Sequence, residues 1–170
     1  MALIVEDGSG VAGANAYDTL ANARLLAVQQ NVTLPVDDAE AETFLIRSTF
    51  HLESYRNRYD GVKTYCRDQP LQFPRENMSI DGCIVQSNEI PIELKQAWVV
   101  FASAFSEGVK IDTATGGQNI QSEKVDVLAV SYFDGGSKSE NLYVTQGENI
   151  LQSLFGAGSG GSVNTTTIRP

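Results

Sequence analysis

A chain of 170 residues with 12 Lys and Arg against 21 Asp and Glu carries a formal net charge of -9. That balance argues against an ordinary basic nucleic-acid-binding module, whose affinity comes from Lys and Arg neutralising phosphates. The length suits one domain with a modest core, and no stretch reaches the ~18 consecutive apolar residues that a membrane helix needs. Ala2-Leu-Ile-Val5 is too short an apolar run for an export signal, so the expected compartment is a reducing cytoplasm with Cys66 and Cys83 as free thiols.

The first segment invites a nucleotide-binding reading. Gly8, Gly10 and Gly13 satisfy the G-x-G-x-x-G spacing after an apolar run. In a dinucleotide-binding turn such glycines let backbone N–H groups approach a pyrophosphate at the start of a helix. Glu6 and Asp7 put two negative charges where the pyrophosphate would sit, and no second Val/Ile-rich strand follows the next helical segment. The pattern therefore assigns no cofactor.

Asn15 is read as the N-cap of a first helix with Asp18 three residues on, and Tyr17, Ala21, Leu25 and Val28 recur at helical spacing up to about Asn31. Pro35 and Asp37-Asp38 open a second helix. Its buried stripe is Ala41, Leu45, Ser48, Leu52, Tyr55 and Tyr59, with acids in its first turn, arginines toward its end and Gly61 as its stop. Asp37, Asp38 and Glu40 could be drawn as metal carboxylates, but a capped helix start explains them without a metal. Residues 61–90, with Pro70, Pro74 and Gly82, read as a long, irregular, exposed excursion.

Pro91 starts a third helix whose stripe, Leu94, Trp98, Phe101 and Phe105, is core and ends at Gly108. Lys124 to Tyr132 reads as a strand, with Asn141 to Thr145 as its partner across Gly135-Gly136, unless the two pair with a neighbouring chain. Thr145 with Glu148 reads as a capping box for a last short helix through Ile150, Leu151, Leu154 and Phe155. Gly156 to Ser162 is Gly/Ser-rich and reads as a tether. The expected architecture is mainly α: a small bundle of about four helices with a long loop excursion, a short β-hairpin or β-arm near 121–145 and an extended C-terminal tail. It divides into 1–155 and 156–170.

Catalytic chemistry finds little support. The single histidine, His51, lies in a predicted helix without a Ser or Cys partner, and Cys66 has Arg67 beside it, a neighbour able to lower a thiol pKa, but no base. No catalytic residue, cofactor or metal is assigned, and the expectation is a protein that is not an enzyme. The one basic concentration is Arg47, Arg56, Arg58, Lys63, Arg67 and Arg75, opposed by Glu53, Asp60 and Asp68. It faces phosphate, or an acidic neighbouring subunit, or forms a solvated helix face. Tyr55, Tyr59 and Tyr65 lie within it as candidate stacking platforms, although the first two also fall on the core stripe.

Three blocks carry a family resemblance. Leu3-Ile-Val-Glu-Asp-Gly-Ser-Gly10 with Ala14-Asn-Ala-Tyr17, then Arg67 to Arg75, then Ile90-Pro-Ile-Glu-Leu-Lys-Gln-Ala97, resemble in order the DnaT-like single-stranded-DNA-binding family of tailed phages. Phe73 stands where that family is expected to carry tryptophan. Members are otherwise recognised as head-to-tail adaptor, or neck, proteins. The resemblance implies a virion protein made in the host cytoplasm: a cyclic homo-oligomer, expected to be a dodecamer. It would meet the portal protein and a tail or second neck protein, and pass double-stranded DNA without binding it specifically. The acidic charge suits such a channel, because a wall that repels phosphate does not trap DNA in transit. On that expectation Val163, Thr165, Thr166, Thr167, Ile168 and Arg169 reach the portal or an adjacent subunit, the alternative being a terminus without a role. The other implied function is single-stranded-DNA binding in replication.

Overall fold

The computed structural model describes residues 2–109, 122–125, 128–131 and 142–156. Among these residues three helices, α1 (Leu20–Gln29), α2 (Asp38–Glu53) and α4 (Leu142–Leu151), pack on α3 (Ile92–Ser106), and α4 runs into a 3-10 turn, Gln152–Leu154. Three two-stranded antiparallel sheets accompany them. They pair β1 (Val62–Lys63) with β2 (Arg75–Glu76), β3 (Ser79–Ile80) with β4 (Cys83–Ile84), and β5 (Ser122–Val125) with β6 (Leu128–Ser131). The mainly α class is as expected.

Helix α3 is central because its stripe is apolar nearly all round. Leu94, Trp98, Phe101 and Phe105 are buried as expected, and so are Ala97, Val99, Val100 and Ala102, which face α1, α2 and α4. Pro91 is its N-cap, and Gly108, at φ +79°, follows its C-terminus. Trp98 fixes the α2–α3 contact: its Nε1 donates to Leu45 O at 2.8 Å and Thr49 Oγ1 at 2.9 Å, while Ser48 Oγ donates to Trp98 O at 2.6 Å. Helix α4 lies close because it carries Gly147, where a Cβ would stand 2.7 Å from the Phe101 ring.

Several expectations need correcting. Helix α1 starts at Leu20 with Thr19 as its cap, accepting from Asn22 N, and Asn15 instead accepts from Ile4 N through Oδ1. Its buried side is Ala23, Leu26 and Ala27, leaving Leu25 and Val28 63% and 80% exposed, so the expected stripe was one position out of phase. Helix α2 is capped by Asp37 as read, but it ends at Glu53, before Tyr55 and Tyr59. Leu142 to Thr145 is no partner strand, since α4 begins at Leu142 and Thr145 lies inside it rather than at its cap; the described residues between Lys124 and Ser131 instead fall in both strands of the β5–β6 pair.

The largest correction concerns residues 61–90. Gln69, Leu71, Gln72, Phe73, Arg75, Met78 and Val85 are buried, so the excursion forms a wall of the core. Its short strands and turns lack sustained period, which is why pattern reading took it for exposed loop. Gly61 (φ +67°) does not stop a helix; it lets the turn press against β2, where a Cβ would meet Glu76 O at 2.3 Å.

Candidate nucleic-acid interface

The C-terminal end of α2 and the folded excursion enclose an open pocket of about 590 Å³. Arg56, Lys63, Arg67 and Arg75 line it together with Glu53, Cys66, Gln69 and Gln72, so four cations face one carboxylate. Four of the six residues in the basic concentration thus converge in space, although they span 20 positions of sequence.

Arg75 builds the pocket rather than serving as its free arm. It is buried, and its guanidinium donates to Asp60 O and Gly61 O, both at 2.6 Å, to Gln72 Oε1 at 3.2 Å, and to Tyr59 O and Gln72 O at 3.4 Å. Burial pulls its pKa below the usual value, against the opposing influence of Tyr59 and Asp60, yet an arginine keeps its charge at neutral pH. Five acceptors fix the fork, and its positive charge backs the pocket from inside.

The remaining wall is held by groups to which the sequence assigned no such role. Gln69, 2% exposed, donates from Nε2 to Leu71 O at 2.9 Å and Pro74 O at 3.0 Å, while its Oε1 accepts from Tyr65 N. Glu53 Oε1 accepts from Tyr17 Oη at 2.6 Å and Gln72 N at 2.9 Å, tying α2 to the excursion. Burial, and then the Glu53 charge, push the Tyr17 phenol well above its usual pKa, so it stays a donor. No spacing rule announces these residues, because each bond joins segments whose proximity only the fold creates.

Lys63 donates to Gln69 O at 3.0 Å, and burial lowers its pKa, with Arg56 and Arg75 adding to the effect and Glu53 opposing it. Arg56 and Arg67 are exposed, and among the described residues neither has an ion-pair partner. Cys66, at φ +52°, turns the chain between Lys63 and Arg67 and is exposed.

Two of the basic residues go elsewhere. Arg47 lies over the Phe105 ring at 4.1 Å and Arg58 over Phe155 at 4.1 Å, both cation–π contacts on the helical body. The tyrosines separate likewise. Tyr59 is buried and donates to Leu52 O at 3.0 Å, and Tyr55 packs against His51 and Phe155. Tyr65 is 38% exposed and precedes Cys66 of the pocket wall in the chain, with its ring close against Gly10 and its hydroxyl donating to Gly8 O at 3.2 Å. His51 packs edge-on against Phe101 and Phe105.

The glycine turn is an anion site already filled. Glu6 is 1% exposed, and its carboxylate accepts from Gly8 N and Gly10 N through Oε1 and from Val11 N through Oε2, each at 2.9 Å. The negative charge that argued against a pyrophosphate occupies the amide cradle itself. Among the described residues no group of three or more His, Cys, Asp or Glu could hold a metal ion, and no helix is long and apolar enough to cross a membrane. Val163, Thr165, Thr166, Thr167, Ile168 and Arg169 lie outside the described residues.

Fold and pocket together define a small, mainly α domain that presents, among the described residues, a local basic pocket on a chain of acidic net charge. A family model described as "Putative DnaT-like ssDNA binding protein" matches residues 1–170, and the chain belongs to that family. No curated protein and no solved structure matches the chain. The family description names single-stranded-DNA binding and not a virion connector, which corrects the expectation of a portal-bound neck ring.

Proposed function

We propose that this protein is a binding module for single-stranded DNA, with the pocket of Arg56, Lys63 and Arg67 as the phosphate-contacting site. The convergence of those three cations, with Arg75 behind them, carries the reading. The family description agrees with it. Single-strand binders combine a positive groove for the backbone with an aromatic face on which a base stacks, and Tyr65, part-exposed and next to Cys66 of the groove in the chain, is the candidate for that role. The net charge of -9 makes the rest of the surface repel phosphate, so contact is confined to the pocket and affinity is modest.

About three phosphate contacts predict a slope near -2 for log K against log salt, a loss of roughly 20-fold between about 50 and about 200 mM. Fluorescence anisotropy with a labelled oligonucleotide tests this. The expected Kd lies in the ~10⁻⁶–10⁻⁴ M range, and replacing both Arg56 and Arg67 with alanine weakens it about tenfold or more and flattens the salt slope. Absence of binding at low salt, or binding indifferent to that double substitution, would overturn the proposal.

A further inference from the structure

A second surface lies beyond the DNA pocket, on the β3–β4 hairpin and the start of α3. Ile80, Cys83, Ile84, Ile90 and Ile92 line an open groove of about 370 Å³. Ile84 is 88% exposed and Ile92 50%, two large β-branched side chains left in water. Glu89 and Glu93 stand at the groove's acidic side, while its one cation, Lys95, is already paired with Asp18 at 3.0 Å.

The chain passes close to this hairpin where its described part ends. Gly156 N donates to Arg58 O at 3.0 Å, and a Cβ on Gly156 would lie 3.5 Å from Asp60 Oδ1. The other oxygen of the same carboxylate accepts from Ser79 N, the first residue of β3, at 3.1 Å. Residues 157–162 are Gly, Ala and Ser only, followed by Val163-Asn-Thr-Thr-Thr-Ile-Arg169. A Gly-rich chain of twelve residues has a root-mean-square reach of roughly 20 Å, ample to bring residue 168 from Gly156 to a hairpin that begins beside it.

We propose that this groove is the docking site for the chain's own segment Val163 to Arg169, with Ile168 seated among Ile80, Ile84 and Ile92 and Arg169 against Glu89 and Glu93. Chemistry matches at both ends of the contact: an apolar β-branched anchor meets an apolar groove, and a cation follows it where the groove is acidic. In an extended segment Asn164, Thr166 and Ile168 share one face, so Thr165 and Thr167 on the other keep their hydroxyls in water while Ile168 is buried and Thr166 faces the groove beside it. The contact is intramolecular because the tether holds the segment at an effective concentration in the millimolar range, above what a second copy supplies in dilute solution.

Cys83, exposed in the groove, provides the test. A full-length Cys66→Ser, Thr166→Cys protein is equilibrated in a glutathione redox buffer, and the Cys83 disulfide to position 166 is quantified by mass spectrometry. The same cysteine pair carrying Ile168→Asp and Arg169→Glu serves as the reference, since it keeps the tether. The expected result is an intramolecular disulfide whose effective concentration falls about tenfold or more in the reference. Hydrogen exchange on the otherwise unaltered chain gives a second reading, with amides of 79–85 losing protection in Ile168→Asp. Equal disulfide yields in the two cysteine proteins, a disulfide linking two chains, or exchange unaffected by Ile168→Asp would each overturn the proposal.

Discussion

The glycine turn and the basic pocket both gather groups that attract an anion, and they differ in whether the chain fills the place itself. In the turn, three backbone N–H groups converge on Glu6, so the anion is internal and the site is closed. In the pocket, Arg75 spends its donors on carbonyls of its own chain, while Arg56 and Arg67 remain directed at solvent. The familiar motif is closed by the chain's own carboxylate, whereas the unremarkable cluster keeps Arg56 and Arg67 exposed. Anion-binding geometry is thus evidence of a ligand only after the chain's own carboxylates have been traced.

Emptying the closed site should have the largest effect. Glu6→Ala leaves three N–H groups without their carboxylate, in a turn whose Gly8 is buried. Each orphaned donor costs about 1–3 kcal/mol, so a loss of about 3–5 kcal/mol is expected in urea unfolding, a large part of the ~5–15 kcal/mol typical of a domain. Added acetate or phosphate should then raise the melting temperature of Glu6→Ala more than that of the parent, because only the variant presents an empty cradle. An equal response of the two would show that the turn holds its shape without an anion.

The pocket divides into a structural cation and receptive ones, and substitution should separate them. Arg75→Lys keeps the charge but gives three donors for five acceptors, with an expected cost of about 2–3 kcal/mol. Arg56→Ala with Arg67→Ala should change stability by less than about 1 kcal/mol, since neither side chain is buried or paired, while weakening the DNA contact as stated above. A destabilised Arg56, Arg67 double variant would merge the two roles that the geometry keeps apart.

How much of this was legible in the sequence depended on period. The stripe of α3 was readable because Leu94, Trp98, Phe101 and Phe105 repeat at helical spacing and all are buried. The cap of α2 was readable because Asp37 acts within three residues. Helix α1 is short and rich in alanine, so Leu25 and Val28 offered as regular a stripe as the true face of Ala23, Leu26 and Ala27. The pocket was half legible: charge density pointed to Arg56, Lys63, Arg67 and Arg75, but Arg47 and Arg58 look the same in one dimension and lie on aromatic rings. Nothing local marks Gln69 or Glu53 as supports. The strand assigned to Asn141–Thr145 failed because β-branched and aromatic residues there serve the first turn of α4, where packing on α3 overrides propensity.

A modest, pH-dependent effect is predicted at Asp18, just before α1. Asp18 accepts from Asn22 Nδ2 at 2.8 Å and Thr19 N at 2.7 Å and pairs with Lys95 at 3.0 Å. Burial would raise its pKa, but the bonds from Asn22, Lys95 and Thr19 outweigh it and hold the carboxyl below the usual 3.8. A depressed carboxyl contributes stability that is fully present above its unfolded pKa and is lost as pH falls through the lower, folded value. Asp18→Asn keeps the shape and removes the charge, so the parent should exceed it by about 1 kcal/mol near neutral pH, as befits a partly exposed pair. That gap should close in acid, beginning only below the ordinary aspartate pKa. Urea unfolding of both proteins from about pH 7 to about pH 2.5 measures it. A difference that stayed constant over that range would assign the role of Asp18 to hydrogen-bond geometry alone, leaving Lys95 without electrostatic consequence.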